Sequence, residues 1–250
     1  MSLSVVSTGI NTTASSVASL AVSISVTSAS GHNIYVFVSL AGASTVTGIS
    51  DTHNTYTLVA AKSGTGIRTE LWHSPGYSTG GSLTVTVSVS PNTSLSAVVA
   101  QISGVTGEGL SVTASGNDAG PRVGVTTTGT GNYVIGGLGF VTGASTTFSL
   151  PSPAVNINND ASASAQGIQA AYNTQTIGDA LLTNLIQLNA AQQWAAVGME
   201  ILSGGTAETY DGYSNGGSPV PSMSGAGSPV VKDIPTFSAP PATSNYGYTS

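Results

Sequence analysis

The sequence predicts an all-β chain: an antiparallel β-sandwich, of jelly-roll or immunoglobulin-like type, followed by an extended, irregular C-terminal arm. Three observations predict it. Apolar residues alternate with Ser and Thr in run after run, clusters of Gly, Pro, Asn and Ser separate the runs, and the composition changes after residue 204. Alternation with a period of two places successive side chains on opposite faces of a strand. Many short runs of this kind with regular turn punctuation indicate a sandwich.

Leu20, Val22, Ile24 and Val26 alternate with Ala21, Ser23, Ser25 and Thr27, as in a strand with one buried face. "NIYVFVSLAG" is apolar on both faces and reads as a central strand. "TYTLVAAK", "IRTELWHS", "LTVTVSVS" and "LSAVVAQISGV" follow at short spacing, and "YVIGGLGFVT", "IQAAYNTQT" and "WAAVGMEIL" come later. In the third of these Leu83, Val85, Val87 and Val89 face one way, and Thr84, Thr86 and Ser88 the other. Residues 178–193, "GDALLTNLIQLNAAQQ", carry leucines near helical spacing. Their all-β surroundings favour strand.

The sandwich is expected to span residues 1–204 and the arm 205–250. The arm holds six of the eleven prolines and repeated Gly-Ser punctuation, so it cannot offset its ordering entropy by itself. It also carries Tyr210, Tyr213, Phe237, Tyr246 and Tyr248, which a plain spacer does not need. These five rings are the candidate partner contacts.

Charged residues make up 6% of the chain, against roughly 25% in an ordinary soluble domain. No apolar run approaches the ~18 residues of a transmembrane helix, and no membrane partner is expected. The net charge is −6, and Lys62, Arg68, Arg122 and Lys232 are dispersed, which argues against nucleic acid as a partner. With no cysteine there is no disulfide framework and no thiolate zinc site. The first basic residue is Lys62, so the N-terminal stretch lacks the charge pattern of a secretory leader. The chain is expected to remain in the compartment where it is made.

"GISDTHNTYTLVAAKSG" gathers Asp51, His53, Asn54 and Tyr56 in a nearly uncharged chain. Asp and Asn side chains bond to backbone amides just ahead of them, so D-x-x-N is turn chemistry, and Tyr56 opens the next strand. Asp51, Asn54 and Tyr56 are therefore expected to form a structural turn. A metal or catalytic group of Asp51, His53, Glu70 and His73 is the competing reading, but no familiar ligand spacing supports it. G-x-S-x-G is absent, "GTGIR" and "GGLGF" lack the lysine and helix of a phosphate loop, and the ten acidic residues are scattered. No catalytic residue, cofactor or resident metal is expected. Sugar binding without catalysis stays open, with Trp72 and Tyr77 or the arm's tyrosines as platforms.

"SVTGISDTHNTYT", "ELWHSPGYSTGGSLTVTVSVS" and "VVAQISGVTG", taken together, resemble a β-sandwich domain found in tailed-phage virion proteins and bacterial surface proteins. The matching positions are Asp51, Asn54, Tyr56, Leu71, Trp72, Gly80, Gly81, Val85, Val87, Ser103, Gly104 and Val105, within about residues 15–110. His53 stands where the pattern often has Gly, which implies a less tight turn. The resemblance implies the fold first. With the inert sandwich and the aromatic arm, it leads to the expectation of a non-enzymatic virion structural protein, assembled in the host cytoplasm. A capsid decoration or cement protein is favoured, with self-association or the major capsid protein as partner. The alternatives are a tail or fibre component and a carbohydrate-binding adhesin module.

Overall fold

The computed structural model describes residues 3–28, 32–76, 80–129, 131–141, 148–149, 155–160, 166–174, 181–183, 187–188 and 190–204. Every regular element among them is a strand. In chain order these are β1 (Ser4–Val26), β2 (Asn33–Ala41), β3 (Thr45–Ser50), β4 (Thr57–Gly64), β5 (Ile67–Ser74), β6 (Gly81–Ser103), β7 (Val105–Asp118) and β8 (Arg122–Gly124). They continue as β9 (Tyr133–Val141), β10 (Phe148–Ser149), β11 (Val155–Asp160), β12 (Gln166–Thr174), β13 (Leu181–Thr183), β14 (Gln187–Leu188) and β15 (Gln192–Ser203). Among the described residues no helix is long and apolar enough to cross a membrane. Within residues 178–193 the described regular elements are strand (β13, β14 and the start of β15), with residues 190–191 irregular. The arm and its five aromatic residues lie outside the described residues.

Two antiparallel sheets pack face to face. The first runs β1-β6-β2-β5-β4, with β3 also paired to β6; the second runs β11-β12-β9-β15-β7. Two long strands organise the first sheet. β6 runs unbroken for 23 residues through Pro91, where the sequence suggests two separate strands. β1 is equally long and begins well before Leu20. The two pair along their whole length, Ser4 opposite Ser103 and Val26 opposite Gly81, with register shifts between Thr13 and Ser19.

At those shifts the ribbon folds over. Asn11 Nδ2 donates to the carbonyl of Ala21, 2.7 Å away and ten residues on in the same strand. A Cβ at Gly9 would overlap the Ser23 carbonyl, so glycine is required for this close approach. The folded-over half (late β1, early β6 and β3) encloses a core with the other half. Leu20, Val22, Ile24, Leu83, Val85, Val87 and Val89 meet Ile34, Val36, Val38, Leu40, Ala97 and Val99 there.

The opposite face of β2 and late β6 meets the second sheet. Tyr35, Phe37, Leu71, Val98, Ala100 and Ile102 pack with Ile135, Ile157, Ile168, Ala170, Val197, Met199 and Ile201. Beyond the second sheet a third, smaller cluster sets Val123 and Val125 against Val134, Leu138, Phe140, Trp194 and Ala196. The apolar character of both faces of β2 and β9 follows from this layering, because each strand has a core on either side.

"GGLGF" in β9 is a packing device. A Cβ at Gly137 would strike the ring of Phe37, and one at Gly139 would strike the hydroxyls of Thr69 and Ser39. The space left at Gly139 admits the Thr69 hydroxyl, which accepts from the Gly139 amide at 3.0 Å and donates to the Ala195 carbonyl at 2.8 Å. One side chain of β5 is thereby bonded to two strands of the facing sheet. Gly139→Val should lower unfolding stability by about 1–3 kcal/mol through overpacking, measured by chemical denaturation. A neutral effect would show that the sheets are not in this close contact.

Candidate functional site

The opening motif is a closed turn. Ser50 and Thr55 form a β-bridge across it. Asp51 Oδ1 accepts from the amides of His53 (2.6 Å) and Asn54 (2.7 Å), while Oδ2 accepts from Asn54 Nδ2 (2.8 Å) and the Tyr56 hydroxyl (2.5 Å). Burial raises the Asp51 carboxyl, but the donors from Tyr56, Asn54 and the two amides outweigh it and hold the group below its usual range. Tyr56 is buried against the core of the first sheet, so the turn is tied to the packing beneath it.

Asp51, His53, Glu70 and His73 are not brought together as a ligand set. Among the described residues no group of three or more His, Asp or Glu side chains converges as a metal site would require. Glu70 is buried and committed elsewhere: it accepts from Arg68 Nε (2.6 Å), Trp72 Nε1 (2.8 Å) and the Val46 amide (3.3 Å). Trp72 thus has its N–H engaged and its ring packed against the core, and is not a free stacking platform. Tyr77, its proposed companion, lies outside the described residues.

Glu200, fully buried on β15, accepts from the Thr128 amide (2.6 Å) and Asn132 Nδ2 (2.7 Å), fastening Thr128 and Asn132 to the sheet. Gly109 makes the room, since a Cβ there would overlap the Glu200 carboxylate.

His73 belongs to a different group, built where the two sheets meet. It is directly opposite Tyr35 in the β2–β5 ladder, and the rings stack with centroids 5.7 Å apart and planes 24° from parallel. β7 supplies the third member. Its pairing with β15 slips between Ser111 and Glu108, a bulge of one extra residue that re-aims the strand. Glu108 Oε1 then lies 3.1 Å from both the Tyr35 hydroxyl and His73 Nε2. Asn33 Nδ2 reaches the Tyr35 hydroxyl at 3.5 Å, and Asn33 Oδ1 accepts from the Gly76 amide at 3.1 Å.

A pocket of about 320 Å³ opens beside this group, lined by Asn33, His73, Glu108 and Thr106, with Pro75 and Val105 as its apolar walls. Burial, reinforced by the Glu108 charge, pushes the Tyr35 phenol far above its ordinary range, so it stays a hydrogen donor. Burial also pulls the His73 imidazole below its ordinary 6.5, against the opposing pull of Glu108. Neutral His73 donates through Nε2 and holds Glu108 in place.

The sequence offered little sign of this group. Tyr35 reads as one more residue of a central strand, and Glu108 as one of ten scattered acids. Their meeting depends on the β2–β5 register and on the β7 bulge, which no local pattern encodes. Searched against protein-family models, curated proteins and solved structures, the chain finds no match. What the fold itself defines is an all-β domain of two antiparallel sheets.

The two groups with lowered pKa, His73 and Asp51, set a two-step acid profile. Both have lowered pKa values in the folded chain, so the unfolded chain binds protons first as pH falls, and stability drops with it. The His73 loss begins below about pH 6.5, and the Asp51 loss below about pH 3.8. Asp51→Ala should cost about 1–2 kcal/mol at neutral pH, the scale of bonds to a partly exposed charged group, and remove the lower step. Urea titrations from pH 8 to pH 3 provide the check. An unchanged lower step in the variant would contradict the assignment.

Proposed function

We propose that this chain is a non-enzymatic structural protein of a tailed-phage virion, placed on the capsid exterior as a decoration or cement protein. The observation that carries the reading is how the scarce polar chemistry is spent. Asp51 closes a turn, Glu70 clamps Arg68 and Trp72, and Glu200 fastens Thr128 and Asn132, each on donors from the fold itself. Exposed Ser and Thr dominate the outer side of the folded-over half, where Ser19, Ser23, Ser25 and Thr84 lie.

The residues that carry the resemblance to virion sandwich domains occupy structural positions. Asp51, Asn54 and Tyr56 make the turn, and Gly104 turns the corner from β6 to β7 at a φ of 75°, which favours glycine. In this reading Tyr210, Tyr213, Phe237, Tyr246 and Tyr248 of the arm seat in pockets of neighbouring subunits. Each ring would contribute about 1.5–3 kcal/mol before ordering costs. The partner is another copy of the chain or the major capsid protein.

Mass-spectrometric inventory of purified particles should find the chain in many copies. A chain ending at residue 204 should fold normally yet co-sediment weakly, or not at all, with particles lacking the protein. Absence from the particles would refute the virion reading, and full occupancy by the shortened chain would refute the role of the arm.

A further inference from the structure

We infer that the pocket bounded by Asn33, His73, Thr106 and Glu108 is a binding site for a small neutral polyol, of the class of a monosaccharide. It is separate from the surface around Trp72 and does not depend on where the protein resides. Its volume of about 320 Å³ is at the lower end of small-molecule sites, which run from ~300 to ~1,000 Å³.

The polar groups on its wall are held in place before any ligand arrives. Glu108 is fixed through Oε1 by Tyr35 and His73, and Asn33 through Oδ1 by the Gly76 amide. Asn33 is nearly fully buried, at 8% exposure, and among the described residues its Nδ2 has only the long 3.5 Å approach to the Tyr35 hydroxyl. Thr106 Oγ1 donates to the Leu202 carbonyl at 3.2 Å, which leaves its lone pairs to accept. Preorganised groups of this kind bind without a large ordering cost.

The mixture of donors and acceptors selects the ligand class. An anion is repelled by the Glu108 carboxylate. A cation meets that carboxylate but also faces the donor hydrogens of Asn33. A hydroxyl both donates and accepts, so neighbouring hydroxyls on one ring satisfy Glu108, Asn33 and Thr106 together. Pro75 and Val105 offer apolar surface to the C–H face of such a ring.

The test is saturation-transfer NMR and calorimetry on the full chain. The probes are D-glucose, D-galactose, D-mannose and N-acetylglucosamine, with acetate and methylammonium as charged controls. At least one sugar should bind saturably in the millimolar range, and neither control should. Glu108→Gln and Asn33→Ala should each weaken binding about tenfold, equivalent to ~1.4 kcal/mol. Thr106→Trp, at an exposed rim position, should block the pocket in a chain that still folds, as its far-UV circular dichroism and cooperative melting show. No sugar binding up to about 100 mM, well above the Kd range of weak specific sites, would overturn the inference. So would preferred binding of a charged control, or sugar binding that survives Thr106→Trp.

Discussion

Burial of β2 and late β6 on both faces is the constraint on which the rest of the structure depends. Along β2, Ile34, Val36, Val38 and Leu40 serve the core inside the folded-over first sheet, and Tyr35 and Phe37 serve the core between the sheets. Neither face meets water, so the hydrophobic gain of about 25 cal/mol per Å² is drawn from both sides of the same backbone. The long ribbon of β1 and β6 has to fold over to supply one of those cores, and the second sheet has to dock to supply the other.

Double burial also dictates the polar chemistry. A polar group on these strands has no solvent, so a partner inside the protein decides its cost; among the described residues the buried Ser39 hydroxyl of β2 has none, whereas others are paired. Gln101, fully buried, bonds both the amide and the carbonyl of Thr27, at 3.0 and 2.8 Å, and so pins the end of β1. Thr69 does the same between sheets, and Glu70 at the mouth of the folded-over half. In a chain with so few charges, the carboxylates of Asp51, Glu70 and Glu200 are parts of the frame. Glu108 differs: it is held by two donors at the junction of the sheets and still lines an open pocket.

Much of the frame was legible in the sequence because alternation and turn residues are local signals. Late β1, β2, β5 and the first half of β6 lie where the apolar pattern places them, and D-x-x-N is the turn its chemistry suggests. Early β1 was not legible, because Ser4–Val17 mixes exposed and half-buried residues without a clean period. Nor was the continuity of β6, since Pro91 and Asn92 read as a break. The fold-over rests on Gly9 and Asn11, whose partners are a strand's length away. The Tyr35–His73–Glu108 group needs the register of three strands at once, and a sequence pattern supplies none of them.

If β2 serves two cores at once, the domain unfolds as a unit. The direct measurement is equilibrium denaturation of Val36→Ala and Phe37→Ala, neighbours on opposite faces of β2, followed by tryptophan fluorescence and far-UV circular dichroism. The predicted result is one transition in each variant, coincident by both probes and shifted to lower denaturant. The loss should be about 3–5 kcal/mol for the phenylalanine and smaller for the valine. Two separated transitions, with Val36→Ala moving only one and Phe37→Ala only the other, would show that the cores are independent and contradict the account.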